Sequence, residues 1–203
     1  MNPITITRAL VELKTLDDRI NKTTERATFI RVNYPDKQQT ENFGKLAQEN
    51  LQSIRDLIKY RAALKGAIVK SNAETVVNIA GREYTVAEAI ERKTSINYEK
   101  TLLEKLRNQY RTTIAECDNH NRNAEARLDR MLTAEIGKDK RTDPEIVKSL
   151  TEGYRKANLA TMDDPLNLQV LIAKMEEDMA AFQAEVDITL SESNSRTMVS
   201  VVQ

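Results

Sequence analysis

The fold is decided by a pattern that occurs twice, first as Ser71-Asn72-Ala73-Glu74-Thr75-Val76-Val77 and again as Ser193-Asn194-Ser195-Arg196-Thr197-Met198-Val199. Both copies share Ser-Asn-x-x-Thr-x-Val. Each copy ends a long amphipathic stretch and begins a short stretch with strand-forming residues, so each predicts a helix that runs into a strand. A weaker third copy starts at Ile20-Asn21-Lys22-Thr23-Thr24 and is followed by the strand-forming residues Ala27 to Val32.

The composition of the 203-residue chain favours long helices. Charged residues make up 31% of it and aromatic residues 4%, with only five glycines and four prolines, a profile typical of helices with charged surfaces. The formal net charge of zero disfavours nucleic-acid binding, which needs an excess of Lys and Arg. The single cysteine excludes a disulfide within the chain. We find no leader pattern and no membrane-spanning stretch, so we expect a cytoplasmic protein.

Apolar residues recur at helical spacing in five stretches, which predict five helices. The predicted helices cover about 6–22, 45–71, 86–136, 144–158 and 165–192. The third would span about 75 Å at a rise of 1.5 Å per residue. Its weak point is the polar run from Asp118 to Asn123, where a kink or break is expected to be easiest because these residues form helices poorly.

Local signals mark the starts of three helices and the positions of the strands. Thr85-Val86-Ala87-Glu88 has the spacing of a capping box, in which Glu88 reaches back to the N-cap Thr85. Asp143-Pro144 and Asp164-Pro165 each place an N-cap before a proline in the first turn. Short strands are predicted at about 26–32, at 75–84 with a turn at Gly81, and at 196–202.

These elements predict a mainly α fold. We expect a single domain, residues 1–203, built as an elongated antiparallel helical bundle with one very long helix and a small β-sheet at one end. Asn21, Asn72 and Asn194 each end a helix before a strand, so all three are expected at the same end, beside the capped start of the third helix. The second helix is about half as long as the third, and an amphipathic stripe left in water is unfavourable, so we expect a homo-oligomer.

Charge is distributed unevenly between two of the predicted helices. Residues 45–70 carry six cations against two acids, whereas residues 163–192 carry eight acids against one lysine. Opposite charges favour association. The two stretches are therefore predicted to be neighbours in one bundle or to meet between subunits.

Three parts of the chain carry a family resemblance. They are Ala9–Ile20, then Ser71–Thr75 with Gly81 and Thr85–Arg92, and finally Glu185–Asp187 with Ser193–Thr197. These segments resemble the septicolysin-like family of small bacterial and phage helical proteins, whereas residues 110–165 depart from the family pattern. The resemblance implies a helical, oligomeric protein. Although the family name suggests a cytolysin, nothing in these residues indicates pore formation.

The sequence contains none of the common catalytic motifs. It has no P-loop, no Gly-rich dinucleotide turn and no His-Glu-x-x-His. His120 is the only histidine and follows Cys117 by three residues, so the two side chains could form a metal pair on one helix face. Two ligands are too few for a closed site, and a packed cysteine beside a solvated histidine is the simpler interpretation. We expect no enzyme, no cofactor and no metal.

The predicted ligand site lies at the end of the bundle that carries the sheet. The start of the third helix would offer the positive end of its dipole there, and the neighbouring arginines and polar side chains suit a phosphate or carboxylate. Tyr84 would stack on a base. The predicted ligand-binding residues are Lys70, Asn72, Thr75, Arg82, Tyr84, Thr85, Arg92, Lys93, Asn194 and Arg196. Arg31 would lie nearby on the first predicted strand.

The repeated Asn-x-x-Thr also has a purely structural interpretation. Asparagine suits the left-handed residue that ends a helix, and threonine suits the first residue of a strand. This interpretation explains the repeat without a ligand.

Together these features predict a non-catalytic, oligomeric helical protein that binds a small anionic, nucleotide-like ligand and has no nucleic-acid or membrane partner. A phage protein of this kind would sequester a nucleotide messenger in the host cytoplasm and so act against host defence signalling. The alternative is a structural or scaffold protein, for example a phage particle component, that binds no small ligand.

Overall fold

The structure is a computed structural model that describes residues 3–33, 42–136 and 143–200. Helices make up 80% of these residues, which confirms the prediction of a mainly α fold. The described helices are α1 (Ile6–Arg26), α2 (Phe43–Glu74), α3 (Val86–Ile136), α4 (Pro144–Asn158) and α5 (Leu168–Arg196). The described strands are β1 (Ile4–Thr5), β2 (Val76–Ile79), β3 (Arg82–Thr85) and β4 (Met198–Val199).

The chain divides into two compact units. The first unit consists of Met1–Ser95 and Ala180–Gln203, and the second of Ile96–Met179. Each is described below by itself.

Helices α1 and α2 form the core of the first unit. The two helices are antiparallel, because Ile6 at the start of α1 and Ile68 near the end of α2 belong to the same cluster of buried side chains as Val199 of β4. The core side chains come from one face of each helix and from β4, and they are Ile6, Ala9, Leu13, Leu16, Leu64, Ile68 and Val199. Polar contacts at the edge of this core fix the two helices against each other.

Two ionisable pairs make these edge contacts. The Tyr60 hydroxyl donates to a Glu12 carboxylate oxygen at 2.6 Å, and this bond to an anion raises the pKa of Tyr60 to about 12. The Arg61 guanidinium forms an ion pair with Asp17, and its hydrogen bonds hold the pKa of that carboxyl below its usual value. Both pairs join α1 to α2 across the sequence and so fix their register.

The strands form two separate two-stranded sheets, which corrects the prediction of one sheet. β1 pairs with β4 in an antiparallel ladder that joins Ile4 to Val199, and β2 pairs with β3 as a hairpin. Ala80 and Gly81 link the hairpin strands with φ of 51° and 76°, the backbone of a two-residue turn that matches the twist of the strands. The sequence predicted this turn but gave no sign of β1. Residues 201–202 of the predicted last strand lie outside the described residues.

The prediction of a strand at 26–32 is wrong. α1 continues to Arg26, and the Ala27 N–H still donates to the Thr23 carbonyl at 3.1 Å. Residues 27–33 have no regular structure, and Ile30 is 86% exposed. A β-branched run becomes a strand only when another strand pairs with it, and no strand in the described part of the chain pairs with this one.

The second unit contains the polar run that was expected to weaken α3, yet α3 is unbroken from Val86 to Ile136. The Asn121 amide accepts from the Ala160 N–H at 2.7 Å and donates to the Ala160 carbonyl at 3.0 Å. The His120 ring bonds the Asn158 carbonyl at 2.9 Å. Asn121 and His120 therefore bind the chain that leaves α4. These hydrogen bonds stabilise the helical conformation of the run and compensate for its low intrinsic helix propensity.

The starts of the last two helices show how proline-containing caps differ. The Asp143 carboxylate accepts from the Glu145 N–H at 2.9 Å and α4 begins at Pro144, as predicted. Asp164 instead accepts from the Leu168 N–H at 2.8 Å, across a turn in which Asn167 has a φ of 51°. α5 consequently begins three residues later than predicted and ends four residues later, at Arg196.

Candidate functional site

The repeated motif performs the same backbone role at both of its occurrences in the first unit. The Thr75 N–H donates to the Ser71 carbonyl at 2.8 Å and ends α2, while the Thr75 carbonyl accepts from the Val86 N–H at the start of α3 at 2.9 Å. Thr197 repeats this arrangement with the Ser193 carbonyl and with the Ile6 N–H at the start of α1, both at 2.9 Å. The threonine of each copy therefore joins the end of one helix to the start of another.

The asparagines of the motif do not have the role predicted for them. Asn72 and Asn194 lie inside the last turns of α2 and α5, and neither is among the described residues with positive φ. Both are half-buried. The helices end two to three residues later, at the threonines, and the strands begin one residue after each threonine. The structural interpretation is therefore wrong for asparagine and one residue too early for the strand start at threonine.

The prediction that three asparagine exits share one end is wrong for Asn21. α1 begins, at Ile6, beside the end of α5, and Asn21 lies fifteen residues further along the same helix. At 1.5 Å per residue the separation along the helix axis is about 22 Å. Arg31 lies beyond that far end of α1, with its guanidinium 4.4 Å from the ring centre of Phe43. Neither residue contributes to a site beside the start of α3.

The start of α3 is closed by its own capping box, as the sequence predicted. The Thr85 hydroxyl accepts from the Glu88 N–H at 3.1 Å, and a Glu88 carboxylate oxygen accepts from the Thr85 N–H at 2.7 Å. The N–H and hydroxyl of Thr85 lower the pKa of Glu88 because they stabilise its ionised form. A carboxylate thus already occupies the positive end of the helix dipole, which reduces what this helix end offers to a ligand.

Arg92 forms the centre of the candidate site. Its guanidinium carbon lies 5.9 Å from the Tyr84 ring centre and 5.0 Å from the Phe182 ring centre. The two rings meet edge to face with their centres 5.7 Å apart. Such cation–π contacts are worth about 0.5–2 kcal/mol. β3, α3 and α5 each supply one side chain to this cluster, which we call the Arg92 cluster: Arg92, Tyr84 and Phe182.

Acidic residues of α5 hold the elements around the Arg92 cluster. Lys93, next to Arg92, forms an ion pair with Asp187. A Glu185 carboxylate oxygen accepts from the Ala80 N–H at the tip of the hairpin, at 2.7 Å. The hairpin and α3 are therefore both fixed to the same helix, which positions Tyr84 against Phe182.

Two of the remaining predicted cations, Lys70 and Arg196, form ion pairs on their own helices. Lys70 pairs with Glu74 at 4.0 Å and Arg196 with Glu192 at 3.6 Å, in both cases one turn apart and exposed to solvent. Exposed pairs of this kind contribute only about 0.3–0.5 kcal/mol. Arg82 is exposed on β3, in the same hairpin as Tyr84. Of the ten predicted ligand-binding residues, the structure brings Tyr84 and Arg92 into direct contact, with Lys93 adjacent.

Sequence reasoning missed Phe182 as a member of the cluster. Its helical spacing in α5 indicates a core residue, and it is indeed buried. Its contact with Tyr84 joins residues almost a hundred positions apart, and no local pattern predicts such a pairing. Tyr84 and Arg92 were predicted because both lie beside the capping box at the start of α3.

A concave surface of the first unit lies away from the start of α3. It is an open groove of about 560 Å³ along α1, lined by Thr15, Asp18, Arg19, Lys22, Thr23, Arg26, Ala27 and Asn50. Three of these residues are cations on successive turns near the end of α1, where positive charge complements the helix dipole.

Cys117 and His120 show no metal-site geometry. The Cys117 thiol donates to the Ala160 carbonyl at 3.4 Å and is half-buried. No group of three or more His, Cys, Asp or Glu side chains able to hold a metal occurs among the residues that the structure describes. Within the same residues, no helix has the length and apolar character needed to cross a membrane.

Comparison of the chain with protein-family models, with curated proteins and with solved structures gave no match. The resemblance to septicolysin-like proteins stays a prediction from the sequence.

Proposed function

We propose that this protein is a non-catalytic, self-associating helical protein whose first unit binds a small anionic, nucleotide-like ligand at the Arg92 cluster. The observation that carries this proposal is the contact of the Arg92 guanidinium with Tyr84 and Phe182. Cation–π contacts involve the faces of a guanidinium, whereas phosphate and carboxylate bind its in-plane N–H groups. The two ring contacts restrict the orientation of the Arg92 guanidinium, which supports an anionic ligand at this cluster.

The polar groups beside the cluster support the same ligand class. Arg82 is exposed on the hairpin that carries Tyr84, and Lys93 keeps 43% of its side chain exposed despite its pairing with Asp187. Because Glu88 occupies the start of α3, we assign the ligand's negative charge to the arginines instead of the helix dipole. A ligand with a phosphate and an aromatic base would match both parts of the cluster.

A phage-encoded protein with this site would act by sequestration. Binding without turnover removes a nucleotide messenger from solution, and several sites in one assembly would raise the number of molecules removed. The contacts of His120 and Cys117 with backbone carbonyls favour structural over catalytic roles for these side chains.

A scaffold function without a ligand is the second candidate. It is favoured by the ion pairs that Lys70, Lys93 and Arg196 already form with acids of the same chain. These pairs lower the local positive charge that an anionic ligand would need.

Thermal unfolding in the presence of nucleotides separates the two candidates. We expect one or more of ATP, ADP, AMP, NAD and cyclic mononucleotides, each at 1 mM, to raise the melting temperature by several degrees, because ligand binding stabilises the folded state. Arg82→Ala should reduce this shift, and Arg130→Ala, an exposed arginine of the second unit, should leave it unchanged. A flat melting temperature for the wild type across the whole panel would favour the scaffold.

A further inference from the structure

Helix α2 carries a second apolar face, distinct from the face that packs on α1. Leu51, Ile58 and Val69 are 40%, 49% and 55% exposed. They are separated by seven and eleven residues, close to two and three full turns, so they share one side of the helix. The side that contacts the core carries Leu64 and Ile68 instead. We call this second side the α2 stripe: Leu51, Ile58 and Val69.

Positive charge borders the α2 stripe. Arg55, Lys59 and Lys65 lie on either side of it along the helix, and in the part of the chain that the structure describes none of the three forms an ion pair. α2 as a whole has six cations against three acids. An apolar face with unpaired cations at its edges fits a partner surface that is apolar and acidic.

Helix α5 offers such a surface. Ala180, Ala184 and Ile188 are exposed and follow one another at four-residue spacing, so they form a second stripe on one side of this helix. Asp187 and Glu192 border it; they pair with Lys93 and Arg196 of their own chain and still keep 73% and 59% of their side-chain surface exposed. α5 as a whole has six acids against two cations. We call this surface the α5 stripe: Ala180, Ala184 and Ile188.

We propose that copies of this chain associate by packing the α2 stripe of one copy on the α5 stripe of the next. Large aliphatic side chains on α2 would meet small alanines on α5, and cations would meet acids. Packing of α2 on the α2 of another copy would instead bring Arg55, Lys59 and Lys65 against like charges. The contact is heterologous, so repetition closes a ring or extends a filament. This inference rests on the self-association in the proposed function and names its surfaces.

Two single variants test the contact by sedimentation velocity at concentrations where the wild type assembles. Ile58→Glu and Ile188→Glu each place a charge in one stripe, and each should weaken association about tenfold or more because a carboxylate would replace an aliphatic side chain in the buried contact. Val11→Glu changes an aliphatic residue of α1 that is as exposed as Ile188, 64% in both cases. It should assemble like the wild type.

Mixing the two variants distinguishes a heterologous contact from a symmetric one. The Ile58→Glu chain keeps an intact α5 stripe and the Ile188→Glu chain keeps an intact α2 stripe. An equimolar mixture should therefore form a one-to-one pair and nothing larger. If Ile188→Glu alone assembled like the wild type and the mixture gave no pair, α2 would pack on α2 and the inference would be wrong. A wild type that sediments as a single chain at 100 μM would overturn it as well.

Ligand binding is measured separately on the same samples. The nucleotide-induced change in melting temperature of Val11→Glu should equal that of the wild type. If Ile58→Glu loses assembly and keeps the nucleotide-induced change in melting temperature, the result supports the contact between the α2 stripe and the α5 stripe. A thermal shift absent from every chain would contradict the proposed ligand and leave the assembly result valid.

Discussion

Thr75 and Thr197 show how one residue type can join four helices. Each closes its own helix with its N–H and offers its carbonyl to the first N–H of a neighbouring helix. The first N–H groups of a helix have no partner within that helix, so each carbonyl removes one unsatisfied donor. The side chain of threonine is not used in these bonds. Its preference for extended backbone explains why the position recurs.

The sequence pattern predicted where α2 and α5 end, but we assigned the helix-ending role to the asparagine of each motif instead of the threonine. Helix-ending asparagines are common in the left-handed conformation, so Asn72 and Asn194 were the natural choice. Here the chain continues helically for two more residues and then turns directly to extended backbone at threonine, where φ of Thr75 is −79°. An exit of this kind needs no left-handed residue.

Glu88 makes the stability of the first unit depend on pH. Its pKa is lowered in the folded protein, so it adds stability above the ordinary carboxyl value of 4.5, and that stability is lost as the pH falls through the folded pKa. We therefore expect Glu88→Gln to lower the free energy of unfolding at pH 7 and to lose this effect progressively below pH 4.5. Urea unfolding followed by circular dichroism at pH 7, 5 and 3 measures the difference.

Glutamine keeps the size of Glu88 and its capacity to accept a hydrogen bond, so the variant isolates the effect of the charge. Glu91→Gln is a suitable control, since Glu91 accepts a hydrogen bond from the Ser95 hydroxyl and does not cap a helix. A Glu88→Gln difference that stayed constant from pH 7 to 3 would show that the capping box does not depend on ionisation.

At the scale of elements, glycine stabilises the hairpin turn but destabilises the interior of a helix. Gly81 has a φ of 76°, whereas Gly66 lies within α2, and a Cβ at either position would meet no atom within 4 Å. We expect Gly81→Ala to lower the free energy of unfolding by about 1–2 kcal/mol, since a side chain is strained at positive φ. Gly66→Ala should raise it by up to about 1 kcal/mol, because alanine favours helix.

Chemical denaturation at one protein concentration measures both glycine variants. Neither position is crowded, so backbone conformation alone sets the opposite signs. Equal effects of the two substitutions would contradict this explanation of the turn.

Three features with purely local signals were predictable from the sequence. The capping box at Thr85, the N-cap at Asp143 and the turn at Gly81 all depend on residues within a few positions of one another. The strand predicted at 26–32 failed because a strand needs a partner that the local sequence does not specify. β1 was missed for the same reason, since two residues form a strand only through their pairing with β4.

Helix α3 illustrates how tertiary contacts override intrinsic propensity. The run from Asp118 to Asn123 has poor helix formers, and the sequence marked it as the place where α3 could break. The Asn121 side chain instead bonds both backbone groups of Ala160. A polar side chain that satisfies two backbone groups at once stabilises the helix that carries it.

At the scale of the whole molecule, the residues of the candidate site also fall into those that the sequence predicted and those that it did not. Arg92, Tyr84 and Lys93 were identifiable because they flank a recognisable helix start. Phe182, Asp187 and Glu185 were not, because they come from a helix about a hundred residues later in the chain. The ion pairs of Lys70 and Arg196 were readable in principle from their one-turn spacing to Glu74 and Glu192, a spacing that favours pairing along a helix.

Charge is unevenly distributed between the helices although the net charge of the chain is zero. α2 is basic and α5 is acidic, and the acids of α5 bind Lys93 and the hairpin within one copy. The cations Arg55, Lys59 and Lys65 of α2 border an apolar stripe and pair with no acid among the described residues. These unpaired cations of α2 are one reason why we propose another copy as its partner.

Native mass spectrometry of the protein purified directly from the cells that express it tests the central claim most directly. We expect an assembly of several chains with an additional mass, about that of a nucleotide, that is reduced or lost in Arg82→Ala purified in the same way. A single chain without added mass, unchanged after incubation with the nucleotide panel, would contradict both the ligand and the self-association.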